Sequence, residues 1–546
     1  MPNAINLDFN FEWDDLFEHP KAIERLEQEV FPAYLRSSRW FGGKAKVIDK
    51  LQIERWLVMP LPKRNGYFLV LKIDYQDSLP ERYALTISHA SEGTTAEIEA
   101  EHPQALIAYA RFKNKQGAIY DSIYRNGYRM SLIQMMANNE VLEANQTLLS
   151  FYKGTYLTDV EEIQQSKVLK VEQSNSSIIY DNKYFLKLYR KIDYAINPDV
   201  EVTRFLSEKT NFRNLPLFAG SAELRNEKQQ SLILGMLMQL VDNEGDAWTY
   251  TLKNTYSYFD KLIETAAIQS EPPTVVEGKD YTGFKDMPAI FQQAIDKDYF
   301  NSVKLLAQRT AEMHIALGKG DDFSSFGTEP LTLDHQNRFL NETRNLVESR
   351  FNLLQSLTNI LQENVGDLAL KILNSREKLL HLLEDILSNP LAAKRIRIHG
   401  DYHLGQVLYT GDDFIIIDFE GEPDKPFADR RNKYSCLKDL AGMVRSFHYA
   451  AYATIYQYLN QKGARFLHVE AWADQWYHYI GNYFLNNYID ALKGSKLLPQ
   501  KRSSILKLLQ AYILEKAVYE LGYELNNRPE WVIIPLKGIS YILKRY

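Results

Sequence analysis

Apolar and polar residues alternate with a period of two through Leu51–Met59, Tyr67–Tyr75 and Arg82–Ser88, which predicts three strands of a meander. Ahead of them, Lys21–Leu35 spaces its apolar residues as an amphipathic helix does. Between the helix and the first strand lies Arg39-Trp40-Phe41-Gly42-Gly43-Lys44. Its two glycines permit a tight turn. It reads either as a turn anchored by Trp40 and Phe41 or as a loop reaching over the functional site. Residues 1–105 are thus expected to form a small α+β module.

The next stretch, Phe112–Tyr128, reads as loop-rich, with a short helix at Ser131–Ala137. From Ser166 the pattern is again that of a sheet, with strands at Ser166–Glu172, Ser177–Tyr180, Tyr184–Tyr189 and Ser231–Leu240. Asp181-Asn182-Lys183 is a hairpin turn by composition, and Asn197-Pro198-Asp199 opens a helix running to Glu208. Beyond Val241 the chain turns helical. Val303, Leu306, Met313 and Leu317 keep a helical period, and Asp334–Asn364 and Asp367–Leu387 read as a hairpin of long helices. Ala451–Tyr458, Trp472–Leu492, Lys501–Leu521 and Leu536–Leu543 follow as helices, and Glu271–Asp286 is a surface loop. The expected divisions are therefore 1–105, 106–240 and 241–546, with an α+β fold overall.

Composition narrows the class. A chain of 546 residues exceeds one small core. Its 45% hydrophobic and 25% charged residues are ordinary for a soluble globular enzyme. A net charge of −6 without a basic domain argues against a nucleic-acid partner. The single cysteine, Cys436, excludes an internal disulfide and fits a reducing cytoplasm. The acidic, aromatic start lacks a signal-peptide pattern, and no apolar run approaches the roughly 20 residues that span a bilayer. A cytoplasmic protein with no membrane partner is expected.

The chemistry concentrates in Arg395–Pro423, RIRIHGDYHLGQVLYTGDDFIIIDFEGEP. Asp401 follows His399-Gly400, Gln406 comes five residues later, and Asp418 ends the apolar run Phe414–Ile417. Val407–Tyr409 and Phe414–Ile417 read as two strands around the turn Thr410–Asp413, a hairpin that would return Asp418 to Gln406. Phosphoryl transfer needs a group to take the acceptor's proton and hard oxygen ligands for Mg²⁺. Asp401 is the candidate catalytic base, and Gln406 and Asp418 are the candidate metal ligands. ATP and Mg²⁺ are the implied cofactors.

Upstream, the order of strands, Lys-bearing strand, helix and strands is that of a kinase small lobe. Lys187 is the candidate phosphate-binding lysine, and Glu201 on the following helix is its expected ion-pair partner. Gln173–Ser177 takes the place of a phosphate loop without G-x-G-x-x-G, so Ser174 and Ser176 are candidates for phosphate contacts. The linker at Gln239 and Val241 is expected to meet adenine. His403, Glu420 and Arg445 are candidates for the acceptor, with packing as the alternative for His403 and structural ion pairs for Glu420 and Glu422. Asp439 is read as a brace of the loop through backbone N–H groups.

HGDYHLGQ and IDFEGEP resemble bacterial maltokinases, within the aminoglycoside-phosphotransferase-like kinases. SSRWFGGKAK, EQSNSSIIYDNKYFLKLYRK, NPDVEVTRFLSE, KDLAGMVRSFHYAAY and LEKAVYELGYELNNRPEW extend the resemblance from about Arg39 to Trp531. It implies a bilobal protein-kinase-like fold with an N-terminal cap module and a mainly helical C-terminal lobe. It implies ATP-dependent phosphorylation of maltose at its anomeric hydroxyl, feeding α-glucan or glycogen synthesis. It also implies association with trehalose synthase, to which relatives are fused or bound. Glucosamine kinase, an aminoglycoside-type kinase and a non-catalytic partner subunit of trehalose synthase are the alternatives.

Overall fold

The computed structural model describes residues 5–544 except 62–63, 145–146, 170–174, 229, 275–282, 321–324 and 460–467. The chain divides into two units, Met1–Glu208 with Pro216–Val241, and Lys209–Leu215 with Asp242–Tyr546.

Among its described residues the first unit holds two seven-stranded sheets. One runs in the order Asn6–Phe9, Leu106–Phe112, Lys115–Asp121, Glu81–Ser91, Gly66–Tyr75, Ile48–Met59, with Lys191–Ile192 also pairing to Glu81–Ser91. The sheet therefore continues past residue 105, and the segment expected to be loop-rich contains a full strand. Lys115–Asp121 is buried over its last five residues, so it carries no alternation to betray it. The second sheet runs Val141–Ala144, Thr147–Lys153, Phe218–Arg225, Ser231–Gln239, Tyr184–Tyr189, Asn175–Tyr180, Ser166–Val168.

The amphipathic helix predicted at Lys21–Leu35 exists in three continuous pieces, Pro20–Arg25, a π-turn at Leu26–Val30, and Phe31–Ser37. Pro32 lacks an N–H to continue the α ladder, and a widened turn just before it absorbs the mismatch. The Arg39–Lys44 segment is a packed turn. Trp40 and Phe41 are buried, with ring centroids 6.0 and 5.1 Å from Tyr83. A Cβ on Gly43 would stand 2.2 Å from the Tyr75 hydroxyl, so a larger residue there would have to displace that ring.

Arg190 joins the two sheets. It follows the Lys187 strand directly, and its guanidinium donates to Asp121 at 2.6 Å, to the Ser176 hydroxyl at 2.8 Å and lies over the Trp40 ring at 4.7 Å. Asp121, fully buried, also accepts from Tyr34 and Thr86 at 3.3 and 3.2 Å. Burial by itself would lower the arginine's pKa, but the Asp121 charge and hydrogen bond, with Tyr34 and Tyr124 beside it, together make the net shift upward.

The second unit is mainly helical. Its central helix, Leu437–Ala453, is buried on nearly every side, which marks it as the core of the unit. Val469–Ala491, Arg502–Asn527 and Ile533–Lys544 pack against it. The predicted two-helix hairpin before the catalytic segment is three helices, Leu333–Leu357, Glu363–Leu373 and Arg376–Leu387. The interruptions carry Thr358 and Ser375, whose hydroxyls bond back to Leu354 and Lys371 carbonyls at 2.8 Å each and compete with the helix ladder. Among the described residues no helix is long and apolar enough to cross a membrane.

Candidate active site

In the second unit the hairpin closes as its pattern predicts. Val407 opposes Ile416 and Tyr409 opposes Phe414. The Ile417 N–H then bonds the Gln406 carbonyl at 3.0 Å. That register sets Gln406 beside Asp418, whose carboxylate accepts from the Gln406 amide nitrogen at 3.0 Å. Arg309 anchors the turn by two bonds of 2.8 Å to Asp413. Burial pushes the Asp413 carboxyl up, but this guanidinium holds it below the usual carboxylate range. Asp418 has φ +65°, a left-handed conformation that a non-glycine residue holds only when its surroundings enforce it. Its carboxylate and the Gln406 amide oxygen are the hard donors that Mg²⁺ prefers, so the donor set fits that ion.

The loop carrying Asp401 is fixed from below. Asp439, buried on the central helix, accepts from the His399 and Gly400 N–H groups at 2.8 and 2.9 Å, as expected of a brace. Burial raises its pKa, but a 3.0 Å bond from His314 and those backbone donors outweigh this and lower it. His314 is held in turn by Tyr488 at 2.7 Å. The His399 ring bonds the Ile417 carbonyl at 2.8 Å and so ties the Asp401 loop to the strand that ends in Asp418. Gly400, at φ +90°, approaches Gly421 so closely that a Cβ would lie 3.0 Å from the Gly421 Cα.

Asp401 itself accepts from Lys516 Nζ at 3.1 Å. Lys516 sits on the Arg502–Asn527 helix, four residues before Glu520 and eight before Glu524, hence on one helix face with them. Burial works against the ammonium, but Asp401, Glu422 and Glu520 overcome it and raise its pKa. In sequence this lysine was marked only by lying in LEKAVYELGYELNNRPEW, on an expected helix. Glu422 is buried with Lys425 at 2.5 Å and Lys438 at 3.9 Å. Burial pushes its carboxyl up, yet the surrounding lysines hold it down at about 2. Glu422 is thus a structural ion pair. Glu420 is half-buried, with Arg430 at 3.9 Å.

His403 stands 4.0 Å from Asp401, and its Nδ1 accepts from the Gly405 N–H at 3.0 Å. Burial lowers its pKa, which favours the neutral ring that this bond requires. Arg445, a candidate for the acceptor, is not open to one within its own unit. It is buried on the central helix, paired to Glu520 at 2.7 Å, and a Cβ on Gly538 would fall 2.1 Å from its Nη1. It also donates to His448 at 3.1 Å. A guanidinium packed among three helices serves their cohesion.

In the first unit, Lys187 lies opposite Ser177 and Met236 in the sheet. Its ammonium meets Asp199 at 3.0 Å, and Asp199 also accepts from Tyr189 at 3.0 Å. Asp199 thus sets a carboxylate on the Lys187 ammonium. Glu201, the expected partner, stands two residues further along the same helix, half-buried. Asn197 caps that helix, accepting from the Asp199 N–H at 2.9 Å, which places the Asp199 carboxylate at the positive end of the helix. The Ser176 hydroxyl accepts from Arg190 at 2.8 Å. Ser174 lies outside the described residues. Gln239 ends its strand with N–H and side-chain oxygen both bonded to Leu217, at 2.9 and 3.5 Å, and half-buried Val241 closes the unit.

Comparison with known proteins gives the fold a place. A glucosamine kinase solved with glucosamine, ADP and inorganic phosphate superposes with TM-score 0.61 and 15% identity, over 94% of this chain and 99% of that one. A second crystal form of glucosamine kinase gives TM-score 0.63 over 94% and 98%. The fold is thus shared nearly end to end with a sugar kinase. In sequence, the glucosamine kinase of Mycolicibacterium smegmatis is 26% identical over 167 residues, 31% of this chain and 38% of that protein. That of Streptacidiphilus jiangxiensis is 25% identical over 164 residues, 30% and 34% of the two. The matched segment spans little more than a third of either relative. No protein-family model matches the chain.

Proposed function

We propose that the protein is an ATP-dependent sugar kinase. The observation that carries this is one constellation in the second unit: Asp401 on a braced loop, with Gln406 and Asp418 brought side by side by the hairpin. In this reading Asp401 orients the acceptor hydroxyl and takes its proton late, as the new P–O bond forms. Lys516 keeps Asp401 in place and supports its charge. Gln406 and Asp418 hold Mg²⁺, which when bound neutralises charge on the phosphates. Lys187, steadied by Asp199, contacts the nucleotide's phosphates. The relatives named glucosamine kinase support the sugar-kinase class.

The acceptor proposed is maltose at its anomeric hydroxyl, giving maltose 1-phosphate for α-glucan synthesis in the cytoplasm, with trehalose synthase as an associated enzyme. The support is the resemblance of HGDYHLGQ and IDFEGEP to maltokinases. Glucosamine is the second reading, favoured by the names of the similar proteins. ADP release measured with maltose, glucosamine, glucose and an aminoglycoside separates them. Turnover highest with maltose is expected. Turnover confined to glucosamine replaces maltose, and no sugar-dependent ADP release overturns the kinase reading.

A further inference from the structure

A cavity of about 220 Å³ opens in the helical unit between the Leu333–Leu357 helix, the Arg502–Asn527 helix and residues 429–434. None of the residues argued above for phosphoryl transfer lines it. Its size is below the roughly 300–1,000 Å³ of drug-sized sites and suits a single small ring. Phe339, Tyr434 and Tyr512 supply its aromatic surface, the first and last with ring centroids 4.7 Å apart.

Charge decides the class of ligand. Arg395 and Lys433 reach the cavity, but Glu329 pairs with both, at 2.7 and 2.9 Å. What remains at the rim is Arg338 with Glu342 and Asp429, all exposed, and none has an ion pair among the described residues. The three cations Arg338, Arg395 and Lys433 are matched by the three carboxylates Glu329, Glu342 and Asp429, so the site offers an anion no net attraction. A cation would meet aromatic rings over which the Lys438 ammonium already lies, 5.5 Å from Tyr434 and 6.0 Å from Tyr512. A neutral polyhydroxylated ring escapes both conflicts. Each hydroxyl donates to the carboxylates and accepts from the guanidinium, and the ring's C–H face packs on the aromatics.

We propose that this cavity is a second, non-catalytic carbohydrate site for one neutral hexose ring, either a free sugar or the end of an α-glucan chain. It is connected to the Asp401 loop through backbone: Tyr434 and Ile396 exchange N–H···O bonds of 2.9 Å, and Ile396 lies five residues before Asp401.

Equilibrium dialysis of the full chain against labelled glucose and labelled maltoheptaose, without nucleotide, tests this. The comparison is with a Glu342→Ala/Asp429→Ala variant, whose exposed side chains lie outside the proposed catalytic machinery. Saturable binding that weakens about tenfold or more in the variant, from loss of two charged hydrogen-bond partners, is expected. Glucose and maltoheptaose binding alike assigns a free sugar, and tighter maltoheptaose binding assigns a chain end. Equal binding by variant and wild type, or no binding of either probe, overturns the site, as does variant-sensitive binding of inorganic phosphate or choline in place of sugar. A chain that binds hexose in this variant-sensitive way yet phosphorylates nothing keeps the site and loses the kinase reading.

Discussion

Lys516 and Asp401 are joined at 3.1 Å although 115 residues separate them in sequence. The pair sets a half-buried ammonium on the proposed catalytic carboxylate, and Glu520 on the same helix holds Arg445. One helix thereby serves the loop and the packing of its own neighbours.

Removing that ammonium tests its role. Lys516→Met is expected to lower kcat about 10–100-fold, the scale of one charged hydrogen bond, with the KM for ATP little changed. Lys516→Arg is expected to recover part of the loss. Asp401→Asn should cost about a hundredfold or more. Steady-state kinetics with circular dichroism as a folding control decide this, and unchanged kcat in Lys516→Met removes the lysine from the mechanism.

The Asp199–Lys187 pair predicts an asymmetry between neighbouring acids. Asp199→Asn is expected to raise the KM for ATP several-fold more than Glu201→Gln does, because a charge-assisted bond of about 1.5–3 kcal/mol is lost from the lysine. The KM for the sugar should respond less to either. A larger nucleotide effect at Glu201 would return the lysine's main partner to that residue.

Arg190 and Asp121 form a buried ion pair, so removal of one partner strands the other's charge. Asp121→Asn or Arg190→Met is expected to destabilise the first unit by about 3–5 kcal/mol, and the double variant by less than the sum. Chemical denaturation of the three variants measures the coupling, and additive losses would show that the two residues act independently.

Glu422 sets a pH dependence whose sign follows from its lowered pKa. Its ordinary value is 4.5 and its folded value about 2. The stability it contributes is complete above pH 4.5 and is lost as pH falls toward 2. Glu422→Gln is therefore expected to be less stable than wild type at pH 7, with the gap narrowing below pH 4.5. Urea midpoints at pH 7, 5 and 4 read this directly, and a gap that widens on acidification rejects the assignment.

Local pattern carried the elements whose partners are near in sequence. The hairpin after Gln406 was legible because a turn and two short apolar runs determine its register, and with it the meeting of Gln406 and Asp418. The meander and the Lys187 strand were legible from alternation. The strand Lys115–Asp121 was not, since burial erases alternation, and the helix after Leu357 broke at hydroxyl side chains that compete weakly and locally.

By itself, then, the sequence determined the elements with a clear local pattern and the acid–amide–acid spacing from Asp401 to Asp418. Tertiary structure decided which charges meet. Asp199, a carboxylate the spacing had not singled out, was brought to Lys187, Lys516 reached Asp401 from a distant helix, Asp121 reached Arg190 across two sheets, and Arg445 was withdrawn into helix packing. The reason is physical. Spacing along the chain sets strand and helix faces, but a buried charge is stable only beside an opposite charge, and that partner is supplied by whichever element packs against it.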